Sequence, residues 1–123
     1  MEITTQEINH VELITVKGRV DSVESVRLAK ALESASRRGK HKIVVDMSEV
    51  QYMSSAGFRA LGDAQRNSHH HQRGEVILAR VPASIHEALE LVGFTEYFPI
   101  KESVKEALAL AESSPTGDSS IPG

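Results

Sequence analysis

Two short apolar runs constrain this chain more than anything else in it: "KIVVDM" at residues 42–47 and "EVILARV" at residues 75–81. Neither alternates with polar residues, and both are rich in β-branched side chains. That is how strands buried on both faces read. Stretches of helical period lie before, between and after them. Right-handed crossovers between such strands demand a mainly parallel sheet with helices packed on it.

The remaining elements fit around that frame. Residues 2–9 alternate weakly and "VELITVKG" alternates better, with Val11, Leu13 and Val16 on one side. Asn9-His10 between them suits a tight turn, so the N-terminus reads as a hairpin that adds one antiparallel strand. Leu28, Ala31, Leu32 and Ala35 recur at helical spacing. Asp21 or Ser22 can cap that helix, and Gly39 ends it after the basic pair Arg37-Arg38. A second helix runs from Ser54-Ser55 to about Ser68. Pro82 opens a third, with Ile85, Leu89 and Val92 on its inner face and Gly93 at its end. "TEYFPI" reads as a short edge strand, because Pro99 cannot donate to a central ladder. "KESVKEALALAE" is a fourth helix. The expected fold class is thus α/β, a mainly parallel sheet of about five strands with about four helices. Residues 1–112 form one domain, and residues 113–123, rich in Ser, Pro and Gly, are expected to be a disordered tail.

Composition narrows the function classes. The 123-residue chain has no Cys, which excludes disulfide and thiolate chemistry and fits a reducing compartment. A net charge of −3 with both signs interspersed leaves no basic field for nucleic acid or anionic lipid. No apolar run approaches the roughly 20 residues needed to span a bilayer, and the N-terminus does not read as a signal peptide. The expected location is the cytoplasm, with no cofactor.

The stretch "VVDMSEVQYMSSAGFRAL" (residues 44–61) carries the chemistry. Its strand is read as ending near Asp46, with a turn leading to Ser54 and Ser55 at a helix start. Functional groups gather outside the carboxyl ends of strands in such sheets. A Ser at a helix start is accounted for by capping alone. Gly57 argues for something more, because Gly inside a helix costs about 1 kcal/mol relative to Ala. With the small Ala56, it suggests a surface kept bare for another molecule. A helix N-terminus also favours added negative charge, so a phosphoserine is tolerated there.

These residues resemble the signature of STAS domains, the family of bacterial anti-anti-sigma factors. Asp46, Met47 and Ser48 match its strand end, Tyr52 and Met53 its apolar pair, Ser55 its phosphoacceptor and Gly57 its glycine. "VKGRVDS" resembles the family's Gly-x-x-Asp, with Gly18 and Asp21 on the fixed positions. "LVGFTEYFPIKESVKEAL" is similar to its closing segment. Many members carry Asp before the acceptor; this chain has Ser54, which makes Ser54 the second candidate for modification. The first helix starts "SVES" where Thr-Ala is more usual.

The resemblance implies partner switching and no enzymatic activity. The unmodified protein would bind an anti-sigma factor that is itself a GHKL-type serine kinase, releasing the sigma factor. Phosphorylation of Ser55 would break the complex, and a PP2C-like phosphatase would restore it. The expected partner-binding residues are Asp21, Ser22, Asp46, Ser54, Ser55, Ala56, Gly57, Phe58 and Arg59. Asp21 and Asp46 are expected to form an acidic rim that a phosphate would reinforce. Within the same family, a scaffold of a stress-signalling assembly or a cytoplasmic subunit of a lipid transporter is the alternative.

Other features have simpler readings. "HHHQRG" reads as a solvated helix end, since three consecutive His on a helix point apart and no Cys completes a metal site. His10, His41 and His86 are expected at the surface, and "SRRGKHK" as a solvated basic loop. Phe94, Tyr97 and Phe98 are expected in the core. A serine hydrolase built on Ser55 would need a base and an oriented third group, and "SSAG" is not the Gly-x-Ser-x-Gly elbow.

Overall fold

A computed structural model describes residues 1–71 and 73–113. The expected tail lies outside the described residues, except for Ser113, which closes the last helix. Five strands form one sheet in the order β1-β2-β3-β4-β5. They are β1 (Glu2–Ile8), β2 (Val11–Val20), β3 (Lys42–Met53), β4 (Glu75–Ala79) and β5 (Ile100–Lys101). β1 is antiparallel to β2, and every other pairing is parallel.

The hairpin turns on Asn9 and His10, both at positive φ (50° and 69°). Two such residues make the turn whose twist matches that of the flanking strands. Four helices follow: α1 (Glu24–Arg37), α2 (Ser55–His69), α3 (Ala83–Leu91) and α4 (Val104–Ser113). Each parallel strand lies beside its predecessor, always stepping the same way, so the right-handed crossovers place α1, α2 and α3 on one face.

The larger core lies under those three helices. Leu28, Leu32, Leu61, Ile85 and Leu89 pack there on Ile14, Ile43, Val45 and Leu78. Burying one such side chain contributes about 1.5–3 kcal/mol. On the other face, Ala107 and Ala111 of α4 cover Val11, Leu13, Val44 and Ile77. Both central runs are therefore buried from above and below, as their composition requires. Phe98 is buried with Phe94 and Tyr97 packed around it, their ring centroids 5.4–5.9 Å apart.

Four expectations change. β3 does not end near Asp46 but runs on to Met53, its outer half paired with β2 alone. That half carries polar residues because α4 and β4 no longer cover it. The last strand is two residues long: Phe94–Glu96 form a 3₁₀ turn, and pairing begins only after Pro99. Val92 is exposed, because α3 ends at Leu91 and Gly93 turns the chain away at φ 79°. His41 is half-buried and stacked on His71 at 3.5 Å, and its Nδ1 has no hydrogen-bond partner among the described residues. Burial, and then His71, push its pKa down.

The basic loop is tied to the acids of the hairpin. Arg38 forks onto buried Glu12 (2.8 and 3.4 Å), and Lys40 meets Glu7 at 2.9 Å.

Candidate functional site

Two helices begin side by side where β2 and β3 end. β2 closes at Val20, whose carbonyl accepts the Ser54 N–H at 2.8 Å. This bond ties the first residue after β3 to the last residue of β2. Each chain then enters a helix. Asp21 Oδ1 accepts the Glu24 N–H at 2.8 Å and caps the start of α1. Ser54 is extended (φ −75°, ψ 166°), and its Oγ accepts the Gly57 N–H at 3.2 Å, capping α2. The Ser22 carbonyl accepts the Ser25 hydroxyl at 2.7 Å. The positive ends of two helix dipoles therefore open on the same surface.

The serine pair divides its work. Ser54 is half-buried and committed to the cap. Ser55, the first residue of α2, is exposed, and its hydroxyl has no hydrogen bond among the described residues. No acidic residue occupies the first turn of α2. A hydroxyl there is accessible, and a negative charge added to it meets the helix N-terminus rather than a carboxylate in that turn.

Gly57 has a different cause from the one its sequence suggests. It is buried, and a Cβ placed on it would lie 2.7 Å from Met53 Cγ and 3.2 Å from Val20 Cγ1. The glycine lets the first turn of α2 seat against the ends of β2 and β3. The bare surface faces inward, not toward a visitor. Ala56 and Phe58 are half-buried, and Phe58 packs against the main core. Arg59 is exposed on the first turn and a half of α2.

Asp46 does not join this group. Six strand residues lie between it and Met53, roughly 20 Å of extended chain. It is 6% exposed and engaged by Arg80, with Oδ1–Nε and Oδ2–Nη2 distances of 3.3 and 3.1 Å. Its Oδ1 also accepts the Ser48 N–H at 3.1 Å. Burial pushes its pKa up, but the bonds from Arg80 and Ser48 outweigh that and hold it below the usual Asp value. Of the two acids expected at the rim, only Asp21 lies at the helix starts.

Sequence reading missed three residues around the site. Val23 and Val26 at the start of α1 are 74% and 53% exposed, and Tyr52 near the end of β3 is 41% exposed. The Arg19 guanidinium lies 4.6 Å from the Tyr52 ring centroid. The available signal was phase: Val26 falls off the stripe that carries Leu28, Leu32 and Ala35. Arg80 was missed as well, because its pairing with Asp46 depends on β4 lying beside β3.

Among the described residues no helix is long and apolar enough to cross a membrane, and no group of three candidate ligands could hold a metal ion. His69 instead meets Glu75 at 3.2 Å.

Known proteins place this geometry. A BtrV protein of Bordetella bronchiseptica, named as an anti-sigma factor antagonist, is 29% identical over 111 residues, covering 90% of this chain and 94% of that one. The fold is shared with an anti-sigma factor antagonist from Mycobacterium paratuberculosis, with TM-score 0.79, 20% identity, and 91% and 94% of the two chains covered. It is shared too with the phosphorylated form of SpoIIAA, a Bacillus cell fate determinant, with TM-score 0.72, 14% identity, and 89% and 98% covered. The STAS domain family model matches residues 2–107. With its one antiparallel strand, four parallel-paired strands and four helices, the chain belongs to the STAS domain family.

Proposed function

We propose that this protein is an anti-sigma factor antagonist switched by phosphorylation of Ser55. One observation carries the reading: of two adjacent serines at a helix start, one is consumed by the cap and the other is exposed and unengaged among the described residues. The partner is an anti-sigma factor of the GHKL serine-kinase type. It transfers the γ-phosphoryl group of ATP to Ser55 Oγ, with loss of the hydroxyl proton and departure of ADP. The protein is then a kinase substrate and not an enzyme, acts in the cytoplasm, and is restored by a PP2C-like phosphatase. Residues 1–112 form the working domain.

The unmodified surface offers Asp21, Ser22, Ser55 and Arg59 together with exposed Val23, Val26 and Tyr52. A phosphoserine adds about −1.5 to −2 charges at its centre. The fold accommodates them at the α2 N-terminus, so the protein need not rearrange. The partner's contact with that surface is what changes. The test is incubation with the cognate kinase and ATP, followed by mass-spectrometric mapping. One phosphate on Ser55, absent in Ser55→Ala and retained in Ser54→Ala, supports the reading. Phosphate confined to Ser54, or none on either serine, contradicts it.

A further inference from the structure

The two edges of the sheet are built differently. β5, at one edge, pairs over two residues. β1, at the other, is seven residues long and paired to β2 without a bulge from Glu2 to Ile8. Its sequence, EITTQEI, has no Pro and no Lys. Of the usual devices that keep a free edge from pairing with another strand, it carries only charged side chains, the acids Glu2 and Glu7.

The hairpin turn tells which groups are free. A two-residue turn with both φ positive closes on a hydrogen-bonded pair, here Ile8 and Val11. Hydrogen-bonded pairs alternate along an antiparallel ladder. Ile8, Gln6, Thr4 and Glu2 therefore bond inward to β2. The backbone groups of Ile3, Thr5 and Glu7 point out from the sheet.

We propose that two copies of this chain associate through β1, antiparallel about Thr5, into one continuous ten-stranded sheet. In that register Ile3 faces Glu7 of the other copy, and Thr5 faces Thr5. All three outward residues pair, giving six backbone hydrogen bonds. A shift of two residues either way leaves only two outward residues paired. A shift of one residue would set Glu2 against Glu7 or invert the sheet faces relative to each other. In the centred register each acid lies opposite an isoleucine, Glu2 facing Ile8 and Glu7 facing Ile3, so no like charges meet. Charge and hydrogen bonding thus select the same self-complementary pairing, which is the condition for a two-fold dimer.

An edge pairing of this size sits at the small end of specific interfaces, so association is expected on the order of 100 µM. Analytical ultracentrifugation of the full chain from about 10 µM to about 1 mM reads it directly. The wild type should move toward dimer across that range. Thr5→Pro deletes an outward N–H without removing a bond to β2, and Thr5→Lys sets two cations face to face. Each should weaken association at least tenfold while circular dichroism stays native. Thr5→Lys serves alone if the proline variant does not fold.

The chain has no native Cys, so single-cysteine variants report register. Thr5→Cys should oxidise to a dimer, since hydrogen-bonded antiparallel pairs have Cα atoms about 5.5 Å apart. Thr4→Cys should not, because its like residue on the other copy is displaced by two positions. A wild type that stays monomeric throughout, Thr5→Lys that associates like the wild type, or equal cross-linking of both cysteine variants would overturn the proposal. So would a monomeric wild type whose binding to the anti-sigma factor is lost in Thr5→Lys, which would put a partner's strand on this edge.

Discussion

Ser55 and Asp46 lie on the same stretch of chain and meet opposite fates. Ser55 is exposed at the start of α2 with its hydroxyl unengaged among the described residues. Asp46 is buried in the sheet and held by Arg80 and a backbone N–H. Both are reactive residue types beside an apolar strand. Only the structure shows that one is already occupied. What a partner can use is set less by residue type than by which groups the fold has left unpaired.

That contrast can be broken at the packing that seats α2. Gly57→Val forces a branched side chain into the space of Met53 and Val20. It should cost about 1–3 kcal/mol in denaturant unfolding, as overpacking does. Unchanged stability would mean that the close seating is not required. Next comes the cap. Ser54→Ala should lose about 1 kcal/mol, while Ser54→Asp, an equally good cap, should lose little. Equal loss in both would show that Ser54 does something other than cap.

The smallest effect belongs to Asp46. Its folded pKa lies below the unfolded value, so its ionised form contributes stability above the ordinary carboxylate pKa of about 3.9. That contribution fades as pH falls through the folded pKa. Asp46→Asn should therefore show a shallower loss of stability than the wild type on acidification below about pH 4. Superimposable acid-unfolding profiles would mean that the Arg80 pair does not hold the carboxylate down.

Much of this was legible in residues that act locally. The two apolar runs showed a parallel sheet because a strand buried on both faces needs no polar alternation. Asn9-His10 marked the hairpin, and the Leu28 to Ala35 stripe marked the inner face of α1. The illegible parts depend on neighbours distant in sequence. "SEVQYM" extends β3 because β2 is long enough to pair with it. Asp46 looked like a rim acid until β4 brought Arg80 to it. Gly57 looked like a cleared surface until Val20 and Met53 occupied the space beneath it. Val92 followed the helical period of α3, but α3 stops one residue earlier.

The central claim is that charge on one hydroxyl decides whether the partner stays bound. Titration calorimetry of the anti-sigma factor with wild type, Ser55→Ala and Ser55→Asp tests it most directly. A difference of roughly 3 kcal/mol, within the range for an unbalanced interface contact, corresponds to more than a hundredfold in affinity. Ser55→Ala should bind like the unmodified protein and Ser55→Asp more than a hundredfold more weakly. Equal affinity for all three would contradict the account.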